Sequence, residues 1–586
     1  MRGSASQRSG MPELIGLGVV LAAPVCVVWL TGALAGLLAS GHPLQIGLAG
    51  AARVLTRLPS HLARPELAWP ANARRVLPGP LALQISLAFS AILVLALLAA
   101  ALTLLAWLHR RGGHRRAARF ASRGELAELR VRRPQSGRVI LGVHHRKPIA
   151  AEQRASVLLV GPSQAGKTSG LVVPALLEWD GPLLSTSIKS DVIHDTHVAR
   201  AKRGEVSIFD PTGSSGLPSA PWSPIVASRS WEGARRTSAR LLGVGEHGLA
   251  RSADEAFWRP AGSRFLAPLL LAAAHGDLTM RDVLSWIATT NEAEPAELLE
   301  SCPSPGALPA LEALRSVWDA DARFRSSLLQ TVATGLDAWQ EPQIAAATIG
   351  DSQISAEWLL NGPNTLYLIA PAEDQRRLRG LFVALLADIT AGAFAASAKT
   401  GKPIDPALLL ALDEVANIAP LPNLDEIAST GPGQGVQLLS VFQDISQAAD
   451  RWGRERSETI FANHRARLFT SGIGDRATLE YLSHTLGEEE IARVATHRQS
   501  ALTPGSRTLS SEFRALAAPN RVRQQDPDTA LLIYGRLAPA WLRLRPWYQD
   551  ATLSALAAGR PTPARASRRL SRPLRALLGS PPRWAR

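Results

Sequence analysis

At 586 residues, with 64 Lys and Arg against 49 Asp and Glu, the chain carries a formal charge of +15. That length exceeds what a single hydrophobic core usually organises and implies two or three domains. The charge favours anionic partners such as nucleic acid or lipid headgroups without choosing between them. The two cysteines, Cys26 in an apolar run and Cys302 in a Pro/Ser-flanked loop, exclude a disulfide framework and a cysteine-based zinc site, and they fit a reducing cytoplasmic location for the bulk of the chain.

The first 110 residues read as a membrane anchor. Leu14 to Leu38 and Leu81 to Leu108 contain no charged residue, and each exceeds the ~20 residues a helix needs to cross ~30 Å of hydrocarbon. The first is too long for the apolar part of a signal peptide. Arg110, Arg111, Arg115, Arg116, Arg119 and Arg123 crowd the exit of the second helix and Arg2 and Arg8 precede the first, which predicts cytoplasmic termini. Arg53, Arg57, Arg64, Arg74 and Arg75 in the connecting loop reduce that asymmetry.

Beyond residue 110 the pattern changes to short apolar runs: Ser156 to Val160, Val206 to Phe209, Thr365 to Ile369, Ala407 to Leu412, Val436 to Val441 and Ala466 to Phe469. Helical segments separate most of them, as in an α/β domain with a mostly parallel sheet. Between Trp231 and Ala347 the strand signal disappears and apolar residues recur at helical spacing, as in Phe265, Leu266, Leu269 and Leu270, so an inserted all-α domain is expected over 231–347. The α/β domain then occupies 111–230 and 348–550, and 551–586, basic and without an acid, is expected to be a disordered tail.

Gly161-Pro162-Ser163-Gln164-Ala165-Gly166-Lys167-Thr168 matches the P-loop pattern in full and directly follows an apolar run. Glycines let successive N–H groups turn toward a phosphate, and the next helix adds its positive end. Lys167 would neutralise the β and γ phosphates of ATP and Thr168 would ligate Mg²⁺. Lysine is scarce here, being confined to Lys147, Lys167, Lys189, Lys202, Lys399 and Lys402, so a chance match is remote. Ala407 to Leu412 ends in Asp413 and Glu414, a second half for the site, with Asp413 on Mg²⁺ and Glu414 polarising water. Strand ends often turn polar for no chemical reason, and it is the upstream P-loop that gives this pair its weight. Gln443, after another such run, could reach the same sheet edge and orient that water, or be an ordinary solvated loop residue. The Gly431-Pro432-Gly433-Gln434-Gly435 stretch is expected to be a tight turn, open to close approach by DNA or another subunit. The histidines, His144-His145 included, lack zinc-site spacing, so no metal beyond Mg²⁺ is expected.

These residues, together with Leu184-Ser185-Thr186-Ser187-Ile188-Lys189-Ser190-Asp191, Phe209-Asp210-Pro211-Thr212-Gly213, Leu412-Asp413-Glu414-Val415-Ala416-Asn417-Ile418, Ser429-Thr430-Gly431 and Val441-Phe442-Gln443-Asp444, resemble the TraG/TraD-like type IV coupling proteins, and more narrowly their actinobacterial branch. The resemblance spans roughly Leu14 to Trp547. It implies a RecA-like P-loop NTPase domain with an inserted all-α domain and an N-terminal pair of transmembrane helices. It implies further a homo-hexamer in the plasma membrane whose large C-terminal part is cytoplasmic. The activity it implies is ATP-driven translocation of single-stranded or double-stranded DNA, handed over as a relaxase–DNA complex to type IV secretion channel components. Such rings complete each site with an arginine from the next subunit, and Arg465, just before a strand, is the candidate. Relatives often carry Asp-Pro-Lys-Gly where this chain has Asp210-Pro211-Thr212-Gly213, so no role of that lysine carries over, and Lys189 is a candidate substitute. Two readings stay open beside this one: a membrane ATPase driving protein export, and a nucleotide-binding receptor or scaffold without hydrolysis.

Overall fold

The computed structural model describes residues 11–61, 64–113, 118–244, 253–350, 354–418, 420–497 and 506–560. The chain divides into two compact units, Met1–Ala117 and Ala118–Arg586.

In the first unit two long helices, Met11–Ser40 and Pro80–Gly113, are joined by a short helix, Leu48–Arg57, and tight helical turns. Val28, Ala35, Val54, Trp69 and Leu83 bury themselves together. Gly32 lets the Trp69 ring lie against the first helix, where a Cβ would stand 2.7 Å from the indole. The connecting segment is therefore packed, and Arg74 is tied into it by hydrogen bonds to the Trp69 and Leu67 carbonyls at 2.8 and 2.7 Å. The stretches Ala22–Ser40 and Pro80–Ala101 are long and apolar enough to cross a membrane. On the second helix Leu81, Ile85, Ile92, Leu95 and Leu97 are all more than 60% exposed, an apolar outer face that water disfavours and hydrocarbon accepts.

The second unit is built on thirteen strands: β1 (Ile140–His144), β2 (Lys147–Ala150), β3 (Val157–Val160), β4 (Leu183–Ser187), β5 (Val206–Phe209), β6 (Thr365–Ile369), β7 (Leu408–Leu412), β8 (Val436–Phe442), β9 (Ala466–Thr470), β10 (Glu488–His497), β11 (Ser506–Ala515), β12 (Thr529–Tyr534) and β13 (Ala540–Arg543). Eleven form one sheet in the order β2-β1-β13-β12-β9-β3-β8-β7-β4-β6-β5, and β10 and β11 form a separate ribbon. The seven strands from β9 to β5 are parallel, whereas β12, β13, β1 and β2 extend the sheet with antiparallel pairs. β3 and β7 read as unbroken apolar runs, and β4 and β8 are buried at every position, because both faces are covered. In β3, Leu158 and Val160 join one core, with Leu184, Leu368 and Leu410, while Val157 and Leu159 join the other, with Leu183, Ile369 and Leu409.

The six expected strands are all present within a residue or two. Between Phe209 and Thr365 the described residues hold helices and no strand, from Trp231–Leu241 to Pro342–Ala346. Phe265, Leu269, Leu270, Leu314 and Val332 of this insertion share one continuous core with the adjacent face of the sheet. The 26-residue helix Gln375–Thr400 also has the length and hydropathy of a membrane span. Its Leu378, Leu381, Phe382, Val383, Leu385 and Leu386 are buried in that core, so its apolar character belongs to the protein interior.

Two expectations are corrected. Gly431–Gly435 is not a free turn: helix Leu424–Gln434 runs through it and ends at Gly435, whose φ is +82° and where a Cβ would stand 2.4 Å from Ile404 backbone atoms. The tail does not begin at Ala551, because Ala551–Ala557 is a helix capped by the Asp550 carboxylate, with Leu553 buried against Val173, Leu177 and Ala199. Residues 561–586 lie outside the described residues.

Candidate nucleotide site

The phosphate loop leaves the end of β3 at Gly161, whose N–H donates to the Phe442 carbonyl of β8 at 3.1 Å. Glycine is required here by proximity, since a Cβ would fall 1.8 Å from the Thr470 hydroxyl on β9. Pro162, Ser163, Gln164 and Ala165 then curl through a left-handed residue at Gln164 (φ +65°) and a second at Gly166 (φ +72°). Lys167 is only 6% exposed and donates from Nζ to the Gly161 and Pro162 carbonyls at 2.6 and 2.8 Å. Burial pushes its pKa down, against the pull of Glu414 and Asp413.

The helix that follows opens with a wide turn over Thr168–Val172 and continues as Val173–Glu178. Pro174 has no N–H to give to the Gly170 carbonyl, and the chain beyond β13 takes that place. Arg545 N–H donates to Gly170 O at 3.1 Å and Trp547 N–H to Ser169 O at 3.0 Å. Arg545 then closes on Glu178 at 2.9 Å and Asp550 at 3.0 Å. The first turns of the phosphate-loop helix are thus held from outside by the C-terminal segment.

Strand β8 lies between β3 and β7, so the two halves of the site face each other across one strand. The Thr168 hydroxyl donates to Asp413 Oδ2 at 2.9 Å, joining residues 245 positions apart. Asp413 is 6% exposed, and its main-chain carbonyl accepts from the Thr186 hydroxyl at 3.0 Å. Burial pushes its carboxyl up to about 6, with Thr168 opposing and the Glu414 and Asp191 charges adding. A buried carboxylate beside a threonine hydroxyl, among further acids, is a donor set suited to a hard divalent cation.

Glu414 adopts a left-handed backbone, φ +53°. Two amides hold its carboxylate: Asn417 Nδ2 donates at 2.9 Å, and Gln443 Nε2 at 3.1 and 3.2 Å. Gln443, at the end of β8, is in turn fixed through its main-chain N–H, which donates to Gln447 Oε1 at 3.1 Å. Lys167, Thr168, Asp413, Glu414 and Gln443 therefore meet at one sheet edge. Asn417 and Asp191 join them. Both stood in the sequence, Asn417 three residues past Glu414 and Asp191 four past β4, but only the fold shows that they face the site.

Arg465 does not come to this edge. It precedes β9 at the opposite end of the strand, pairs with Glu152 at 2.6 Å and lies over the Tyr534 ring at 5.7 Å. A part in hydrolysis requires it to serve an adjacent copy and to leave Glu152. At Asp210 the Thr212 hydroxyl donates to the carboxylate at 2.9 Å and Ser215 N–H at 2.6 Å, so a closed hydroxyl-capped loop occupies the position where relatives often carry lysine. Lys189 is exposed.

A phosphate loop on one parallel strand, acids ending the next strand but one, and a polar side chain ending the strand between them define a RecA-like P-loop nucleotide-binding domain. Residues 116–568 match the family described as Type IV secretory system Conjugative DNA transfer, and the chain belongs to it. Protein VirD4 of Rhizobium radiobacter is 23% identical over 461 residues, covering 76% of this chain and 65% of the relative. A conjugal transfer protein TraG of Escherichia coli is 27% identical over 400 residues, covering 62% and 61%. The chain thus spans less than two thirds of the length of these two curated relatives. Among solved structures, the bacterial conjugative coupling protein TrwBdeltaN70 in its unbound monoclinic form aligns with a TM-score of 0.56 at 20% identity, over 73% of this chain and 93% of that one. Plasmid coupling protein TrwB in complex with ADP and Mg²⁺ aligns with a TM-score of 0.55 at 19% identity, over 74% and 93%.

Proposed function

We propose that the chain is a membrane-anchored ATPase that couples ATP hydrolysis to DNA translocation in conjugative transfer. The observation that carries this reading is the 2.9 Å bond from Thr168 to Asp413, which closes the phosphate loop and the acidic strand end into one site. Bound Mg²⁺ would supply positive charge to the phosphates of ATP. Thr168 and Asp413 would hold that ion, and the phosphate loop from Gly161 to Gly166 would wrap the phosphates with its N–H groups. Lys167 moves its ammonium from the loop carbonyls to the phosphates. Glu414, oriented by Asn417 and Gln443, accepts the proton of the attacking water. The protein's work is placement and charge, as phosphoryl transfer requires.

In the same reading the two apolar N-terminal helices span the plasma membrane with both termini cytoplasmic. Six copies form the ring, Arg465 of one copy serves the next, and the substrate is a relaxase–DNA complex passed to type IV secretion channel components. Family membership and the net charge of +15 favour DNA over a secreted protein as cargo. Hydrolysis by residues 118–586 is expected to rise several-fold on adding single-stranded DNA at low salt and to lose that rise at high salt, because phosphate contacts release counterions. A rate indifferent to DNA, with no DNA binding at ~0.1 M salt, would remove the translocation reading.

A further inference from the structure

The β2 side of the sheet carries cations that the nucleotide site does not use. β1 and β2 are joined by a tight turn at His145 and Arg146, both with left-handed backbones at φ 45° and 65°. Leu129 to Val131 runs antiparallel along the outside of β2: Ala150 N–H donates to Leu129 O at 2.8 Å and Val131 N–H to Pro148 O at 3.1 Å. That register carries Arg132 and Arg133 alongside Lys147 and Arg146.

Arg123, Arg132, Arg133, His145, Arg146 and Lys147 are all exposed. Among the described residues none of these Arg and Lys side chains is in an ion pair. Between Ala118 and Lys147 the only acids are Glu125 and Glu128, and Glu125 is taken by Arg119 at 2.6 Å. The His145 pKa is pushed down, first by burial and then by His144, Arg123 and Arg130, and no acid opposes them. So dense an unpaired positive field repels itself and is relieved by a polyanion.

Two polyanions are candidates, and the surroundings separate them. Single strands of nucleic acid are gripped by aromatic rings on which bases stack as well as by charge. The aromatic rings from Ala118 to Ala150 are Phe120, packed on Trp541 with ring centroids 5.7 Å apart, and His144 and His145, packed edge to face on each other at 4.3 Å. A lipid surface needs charge density alone, and a basic cluster in the chain that follows an apolar helix of membrane-span length is suited to such a surface. In sequence this cluster follows the run Arg110, Arg111, Arg115 and Arg116, of which Arg110 and Arg111 belong to helix Pro80–Gly113.

We propose that the basic sheet edge formed by Arg123, Arg132, Arg133, Arg146 and Lys147 binds the anionic headgroups of a phospholipid surface. This assignment is independent of ATP hydrolysis.

Residues 118–586 form their own compact unit with their own cores, so the edge is testable without the N-terminal helices. This fragment is expected to co-sediment with vesicles of about 30% phosphatidylglycerol in phosphatidylcholine at ~0.1 M salt, not with phosphatidylcholine alone, and to be released by ~0.5 M salt. The R132E/R133E/R146E/K147E variant lowers vesicle affinity by more than about five-hundredfold, and the milder R132A/R146A pair about twenty-fivefold, from roughly fivefold per charge. Both keep the parent's urea midpoint, because all four side chains are exposed. Equal binding to both vesicle types, or a folded charge-reversed variant that binds like the parent, overturns the proposal. A variant that loses a single-stranded oligonucleotide while keeping the vesicles overturns it in favour of nucleic acid.

Discussion

Lys167→Ala is expected to lower the kcat for ATP about a thousandfold or more, a loss of about 4 kcal/mol in transition-state stabilisation, and to reduce DNA transfer to background. Lys167 is held in the buried interior of the loop by the Gly161 and Pro162 carbonyls, at 2.6 and 2.8 Å. Burial has already weakened its hold on the proton, so a triphosphate meets a cation that gains by pairing with it. An alanine leaves those carbonyls facing the phosphate oxygens with nothing between them. Lys167→Arg is not a repair, because the planar guanidinium needs more room than a compact ammonium at a 6%-exposed position. The measurement is steady-state turnover by residues 118–586 together with transfer frequency from donor cells. Normal transfer with the alanine variant would mean that nucleotide is a structural ligand only.

The second large effect concerns stability. Arg545→Met is expected to destabilise residues 118–586 by about 3–5 kcal/mol, because it strands a buried acid. The Arg545 and Glu178 side chains are 12% and 8% exposed. Both pKa values are raised, which disfavours the charged form of Glu178 and favours that of Arg545. Burial pushes Glu178 up despite the Arg545 pull, whereas Arg545, although burial lowers it, ends raised by Glu178 and Asp550. The Glu178 direction decides the prediction, since it shows that this carboxylate is costly to bury even when paired. Adding Glu178→Leu should therefore restore most of the loss. Urea unfolding of the two variants measures it. A double variant no more stable than Arg545→Met would show that the strap works through its main-chain bonds to Ser169 and Gly170 alone.

The sequence disclosed what local pattern controls. β3 and β7 are unbroken apolar runs, β5, β6, β8 and β9 are predominantly apolar, and the P-loop is contiguous, so these are visible without a fold. The antiparallel extension escaped. β12 has an apolar run of its own at Ala530 to Ile533, but β1, β2 and β13 are short, and their place at the sheet edge depends on pairing with residues about 400 positions away, as in Val143 with Arg543. The site divided in the same way. Lys167, Thr168, Asp413 and Glu414 announce themselves by spacing, whereas Asn417 is an unremarkable helix residue until Glu414 turns into a left-handed backbone and offers it a carboxylate. The Arg545 strap was hidden because its cause is a missing N–H at Pro174, a vacancy filled from the far end of the chain. Gly431 to Gly435 misled for a converse reason: three glycines and a proline suggest a turn, yet four of these residues complete a helix packed against β8 and only Gly435 has the turn backbone.

ATP hydrolysis by this protein requires the loop at Gly161–Thr168 and the acids at Asp413 and Glu414 to close around one metal–nucleotide complex. Replacing Mg²⁺ by Fe²⁺ in the presence of ATP and a reductant generates radicals that cut backbone only within a few ångströms of the ion. Two cuts are predicted, one beside Thr168 and one beside Asp413, both suppressed by excess Mg²⁺ and both lost in Asp413→Ala. Cutting at one of these places without the other would contradict the account.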